Sequence, residues 1–167
     1  MMQIREERSG DVVAIERLTI AAFRDAPHTD HTEQFIVREL RRSCALAISL
    51  VAESEGEVIG HVALSPVSIA DGAKDWYGLG PISVLPSRQR TGVGSQLMQH
   101  ALAQLEHLGA AGCVVLGDPG FHGRFGFIAQ PSLVLPGVPV EYFQAVRFRH
   151  PLPSGVVTYH PAFGSKA

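Results

Sequence analysis

The chain has no basic excess, almost no cysteine and no long apolar run, and each shortage removes a class of protein. Its 14 Lys and Arg stand against 16 Asp and Glu, a formal net charge of -2 with pI near 6.4, so it lacks the positive footprint of a nucleic-acid binder. Its two cysteines, Cys44 and Cys113, cannot build a disulfide framework. Both sit among apolar neighbours and are expected to be buried, reduced thiols in a cytoplasmic protein. The stretch Met1 to Arg8 has no apolar signal core, and no apolar run reaches the roughly 20 residues that a membrane-crossing helix needs. Repeats, low-complexity tracts and linkers are missing as well, and 167 residues read most simply as one domain, 1–167.

What is present is enough to fold. Hydrophobic residues make up 46% of the chain and charged residues 18%, a balance that can offset the entropy of ordering. Ile15, Leu18, Ala22 and Phe23 mark one face of a helix that starts after Ser9-Gly10-Asp11 and ends before Pro27. A second helix is expected from Asp30 to Arg42, with Glu33 completing a capping box. Leu46–Glu53 and Val58–Ser65 flank Ser54-Glu55-Gly56-Glu57 as the arms of a β-hairpin. Trp76 to Leu85 reads as a strand, with a bulge or splay expected because Gly78, Gly80 and Pro81 suit a regular ladder poorly. Leu97, Met98, Ala101, Leu102, Leu105 and Leu108 repeat at the helical period from Gly92 onward. Cys113–Leu116 is a short strand buried on both faces, followed by a short helix near Phe121–Phe125 and closing strands near 141–149 and 155–160. This order gives an α+β protein with one βαβ crossover.

The segment Gln89-Arg90-Thr91-Gly92-Val93-Gly94 joins a strand to the longest helix. A helix start presents amides with no partner inside the helix, and the macrodipole adds partial positive charge there. An anion belongs at such a place, and glycines let it approach the main chain. The loop has neither the third glycine of a Rossmann fingerprint nor the Gly-Lys-Ser/Thr ending of a Walker loop.

The run from Pro81 to Met98, with its core Gln/Arg-x-x-Gly-x-Gly/Ala, resembles the acetyl-coenzyme A motif of the GNAT superfamily of N-acetyltransferases. Val115-Leu116-Gly117-Asp118-Pro119 and Arg124-Phe125-Gly126-Phe127 are similar to the second signature of that superfamily, in its bacterial YhbS-like subgroup. The resemblance implies a GNAT-like fold, a mixed and mostly antiparallel twisted sheet splayed at its centre with helices on both faces. It implies acetyl-CoA as co-substrate, transfer to a primary amine of a small molecule, peptide or protein by direct attack, and allows a homodimer. A domain that holds acetyl-CoA without turnover is the alternative.

By position, the resemblance places Ile82, Ser83 and Val84 along the pantetheine arm, with the amide at or near Val84 facing the thioester oxygen. Gln89, Arg90, Thr91, Gly92, Val93, Gly94 and Ser95 would hold the pyrophosphate, with Asp118, Phe121 and Arg124 beside the cofactor. Two departures stand out. The stretch Tyr77 to Pro81 has no carboxylate where many relatives carry a glutamate base, and His122 occupies the place of a tyrosine acid. His122 either gives a proton to the thiolate or lies at a helix surface. His61 and Ser65 share a polar strand face that could line the acceptor cleft, with His61 as base, or simply face solvent. Glu33 could hold a substrate ammonium or only complement a helix N-terminus. Asp118 also suits an ordinary turn. His28 and His31 have a spacing compatible with a metal, but no carboxylate or cysteine cluster supports it, so no metal is expected.

Overall fold

A computed structural model describes residues 1–166. In chain order the elements are strand β1 (Met2–Glu6), helices α1 (Val12–Phe23) and α2 (Glu33–Arg42), strands β2 (Ile48–Ser54), β3 (Glu57–Pro66), β4 (Ser68–Ile69) and β5 (Trp76–Val84), then helix α3 (Val93–His107). Strand β6 (Gly112–Leu116), helix α4 (Pro119–His122) and strands β7 (Ile128–Ala129), β8 (Leu133–Val134), β9 (Phe143–Arg147) and β10 (Gly155–Thr158) complete the chain.

Seven strands form one sheet in the order β1-β2-β3-β5-β6-β9-β7. Every neighbouring pair in it is antiparallel except β5 and β6, whose parallel pairing is bridged by α3. A small second sheet runs β4-β10-β8.

Both faces of the large sheet are covered, which is why β6 reads as a continuous apolar run rather than an alternating one. On β2, Leu50 and Ala52 pack with Val93, Leu97, Met98, Ala101 and Leu105 of α3, while Val51 between them points the other way, to Ile15 of α1 and Val37 of α2. Helix α3 lies close: a Cβ placed on Gly60 of β3 would come within 2.8 Å of Val93 and 2.9 Å of Leu97. On β6, Cys113 and Val115 join the α3 side, and Val114 meets Trp76, Phe143 and Val157 beneath the small sheet.

Three expectations need correction. The N-terminal segment, not read as a strand, pairs along β2 from Met2↔Ser54 to Glu6↔Leu50. Its charged residues hide the pattern; Arg5 is consumed by ion pairs to Asp11 and Glu53, both at 2.7 Å. Helix α2 begins at Glu33 rather than Asp30, with Thr32 at its N-cap and no side-chain cap, so Glu33 does not close a capping box. Cys44 is exposed, in a positive-φ turn after α2, whereas Cys113 is fully buried with its thiol pushed up by burial.

Leu97 is fully buried at the contact of α3 with the sheet. Leu97→Ala is expected to lower unfolding stability by about 2–5 kcal/mol, read as a drop in urea midpoint with an unchanged slope.

Candidate active site

The site begins where β5 leaves β6. Their pairing runs from Trp76↔Gly112 to Leu79↔Val115 and goes no further, although β5 continues to Val84. On the other flank, β3 stays paired throughout, but Leu64 faces Leu79 and Val62 faces Ile82, so Gly80 and Pro81 together stand opposite the single residue Ala63. This is a β-bulge on β5; it bends the strand, and Gly80 takes a φ of +143° that favours glycine.

Past the bulge, one edge of β5 has no strand beside it. The Leu85 amide donates to Ile59 O at 2.9 Å, which fixes the odd positions toward β3. The two-residue period therefore turns the backbone groups of Ile82 and Val84 to the open edge and those of Ser83 toward β3. Ser83 is buried, with its hydroxyl unpartnered on the sheet face. Gln89 donates from Nε2 to Val84 O at 3.1 Å, so its side chain caps the strand end.

The open edge leads to the start of α3. The first bond of that helix is Gln96 N–H to Gly92 O at 3.1 Å, leaving the amides of Val93, Gly94 and Ser95 without partners inside the helix. Gly92, at φ +92°, makes the turn, Arg90 also takes a positive φ, and Thr91 binds Arg88 O through its hydroxyl. A Cβ at Gly92 would meet nothing within 4 Å, and at Gly94 only Val84 and Phe121 at 3.8 and 3.9 Å. The two glycines thus add no side chain to this turn, which suits the approach of an anion to a helix start. Phe121 flanks it, with the Arg124 guanidinium 5.6 Å from the Phe121 and Phe125 ring centres. Asp118 is engaged as the N-cap of α4, accepting from Gly120 N at 3.0 Å.

At its other end the edge opens into a cleft of about 540 Å3. One side is β5 and β6 around the splay: Leu79, Gly80, Pro81, Ile82, Val115 and Leu116. The other is Phe23, Glu33, Ile36, Leu135 and Phe163. Apart from Glu33, the polar side chains among the lining residues are those of His122 and Tyr159.

His122 is buried and its tautomer follows from its surroundings. Gln144 donates from Nε2 to Gly117 O at 3.1 Å and to Glu141 O at 2.5 Å, which turns its Oε1 to His122 Nδ1 at 3.1 Å. An amide oxygen only accepts, so Nδ1 carries the proton and Nε2 of the neutral ring holds a lone pair. Burial lowers the His122 pKa, opposed by the Gln144 bond and Asp118, and favours that neutral form. Gly117 makes room for the ring: a Cβ there would lie 2.8 Å from His122 Cε1. Gln144 was not among the sequence candidates, because nothing local to a strand residue reports a partner 22 positions away.

His61 and Ser65, expected on the cleft wall, lie instead within the sheet's covered face and are fully buried. Helix α1 packs over β3 there, so the polar face of the strand reaches neither cleft nor solvent. His61 Nε2 meets Ser49 Oγ at 2.8 Å, and Ser49 donates to Glu7, which Arg41 holds with two bonds. Glu33 does reach the cleft. Thr29 donates to its Oε2, while Oε1 is buried without a partner. Among the described residues no group of three or more His, Cys, Asp or Glu could hold a metal, and no helix is long and apolar enough to cross a membrane.

Residues 12–127 match the model of the acetyltransferase (GNAT) family. The chain belongs to that family. It is 36% identical over 127 residues to the uncharacterized N-acetyltransferase YhbS of Escherichia coli K12, covering 75% of this chain and 73% of that one. Among solved structures, a GNAT family acetyltransferase from Brucella melitensis in complex with acetyl-CoA superimposes with a TM-score of 0.88 at 48% identity, covering 98% of each chain. Escherichia coli YhbS in complex with CoA gives 0.87 at 32% identity, over 99% of this chain and 93% of that one. The fold is therefore the GNAT fold, as the two motifs implied. The family match ends at Phe127, so Leu135, Gln144, Tyr159 and Phe163, which complete the cleft and orient His122, come from the chain beyond it.

Burial lowers the His61 pKa to about 4 from an ordinary 6.5, with Glu7 opposing and Arg41 assisting. Between those two pH values the unfolded chain binds a proton that the folded chain does not, so this stability is complete above pH 6.5 and is lost as pH falls toward 4. The contribution is up to about 3 kcal/mol. Denaturant titrations from pH 7 to 5 should give a shallower slope of stability against pH for His61→Gln than for the natural chain.

Proposed function

We propose that the protein transfers an acetyl group from acetyl-CoA to a primary amine by direct attack, with both substrates bound together. The observation that carries this reading is the continuity of the site. Unpaired α3 amides, the open β5 edge and the cleft with His122 form one path from an anion cradle to a proton-handling group. Two solved relatives hold acetyl-CoA and CoA, and an extended ligand of that kind is what such a path would suit.

Along it, the amides of Val93, Gly94 and Ser95, with Arg90 nearby, receive the pyrophosphate. Val84 lies beside Gly94, whereas Ile82 lines the cleft. The Val84 backbone thus pairs with the arm as an added strand would, and the Ile82 amide takes the oxyanion role first expected of Val84. Phe121 and Arg124 flank the loop, and Asp118 contributes by shaping the start of α4.

Acetyl-CoA supplies an activated acetyl carbon. The ammonium first loses a proton to water; the amine nitrogen then forms a C–N bond as the C–S bond breaks. His122 Nε2, a lone-pair acceptor in the neutral ring, takes the surplus proton from nitrogen and passes it to the departing sulfur. This makes His122 a shuttle rather than a standing acid. The histidine at the usual tyrosine position and the missing strand carboxylate then have one explanation.

Two measurements test the reading. Acetyl-CoA should raise the melting temperature of the natural chain, and Gly94→Asp should weaken its binding about tenfold or more while leaving the fold intact, since it sets a carboxylate before the cradle amides. Thiol release with an accepted amine should fall by about 100-fold in kcat for His122→Ala. Equal affinity for acetyl-CoA and CoA with no thiol release over a broad amine panel would assign a binding module instead of an enzyme.

A further inference from the structure

We propose that the acceptor is a small monoamine with an apolar alkyl or aryl body, its nitrogen bound by Glu33 and Tyr159. This rests on the acetyltransferase reading and narrows it to a substrate class.

Glu33 Oε1 and the Tyr159 hydroxyl are both buried, and neither has a hydrogen-bond partner in the chain. Native interiors pair the large majority of such groups, and these two, unlike His61 Nδ1 and the Ser65 and Ser83 hydroxyls sealed in the sheet, belong to residues that line the cleft, where a polar group can be supplied from outside. An ammonium would suit both, since it can donate one N–H to a carboxylate and another to a phenol oxygen. Thr29, bound to the second Glu33 oxygen, keeps that carboxylate oriented.

Glu33 is the sole charged residue among the cleft's lining, which includes no Lys or Arg. One fixed anion matches one cation. A ligand carboxylate or phosphate would be desolvated with no positive partner, and the further ammonium groups of a polyamine would be stranded in the same way.

Once the arm takes the β5 and β6 side, the remaining wall is Phe23, Ile36, Leu135 and Phe163, which suits a hydrocarbon body of modest size. Tyr159 is held rigidly for this task. Its ring lies over Gly78, where a Cβ would approach Cε2 to 2.6 Å, and it packs edge-on against Phe163 with centroids 4.9 Å apart. Gly78 thus clears the seat for the tyrosine.

The test uses thiol release at saturating acetyl-CoA with four acceptors: 2-phenylethylamine, phenylalanine, spermidine and a lysine-containing peptide. Phenylalanine differs from the first by a single carboxylate. The expected result is a kcat/KM for 2-phenylethylamine at least about 100-fold above each of the others. Tyr159→Phe should raise KM for that amine about three- to tenfold with little change in kcat, and Glu33→Gln should raise it more, with thermal stabilisation by acetyl-CoA unchanged in both. Preference for spermidine, phenylalanine or the peptide, or an unchanged KM in both variants, overturns the proposal while leaving the acetyltransferase reading intact. Acetyl-CoA binding with no turnover of any amine overturns both. The wild-type ranking decides the matter even if one variant fails to fold.

Discussion

The parting of β5 from β6 beyond Leu79 and Val115 is the constraint on which the rest of the site depends. Two parallel strands joined through α3 would ordinarily pair along their full length, because each unpaired amide in the interior is costly. Here Gly80 and Pro81 crowd two residues against Ala63, and the resulting bend carries Ile82 and Val84 away from β6 while β3 keeps hold of the other flank. The opened edge, the cleft below it and the direction in which α3 starts all follow from that one irregularity. A regular ladder would have satisfied the amides internally and left nothing for an extended ligand to pair with.

Polarity in the cleft is scarce. His122 is kept neutral by burial and pinned by Gln144, the Tyr159 hydroxyl is pushed up by burial and stays protonated, and Glu33 supplies the single charge. In surroundings of low effective dielectric, each polar group counts for more than it would in water. The ring of His122 can accept a proton because its other nitrogen is committed, and that commitment depends on two carbonyls, Gly117 and Glu141, orienting the Gln144 amide. His61 contrasts with it: more deeply buried, it serves a structural chain through Ser49 and Glu7 that ties the sheet to α2 by way of Arg41.

The two halves of the site differ in how the chain builds them. The proposed cofactor half, positions 82 to 95, is one continuous strand, turn and helix start, so glycine spacing and helical period expose it directly. The proposed acceptor half draws Phe23 and Glu33 from the first two helices, Leu135 from the segment after β8 and Tyr159 and Phe163 from the C-terminal stretch. Glu33 was visible as a candidate because it opens a helix. Tyr159 was not, since a tyrosine closing a short strand carries no signal of what it will face. His61 and Ser65 misled for a related reason: alternation along β3 correctly put them on one face, but alternation does not say whether a helix will cover that face.

Local pattern by itself determined the hairpin, the α3 period, the irregular β5, the turn chemistry at Gly92 and the two motifs that place the chain in its family, because each depends on residues near one another in sequence. Tertiary structure alone decided that β1 completes the sheet edge, that His61 is sealed, that Cys44 is exposed, that Gln144 sets the His122 tautomer and that Glu33 and Tyr159 line one cleft. The physical reason is that burial and hydrogen-bond partnership belong to packed neighbours, and packing brings together residues as far apart as Glu33 and Tyr159 that no local period connects.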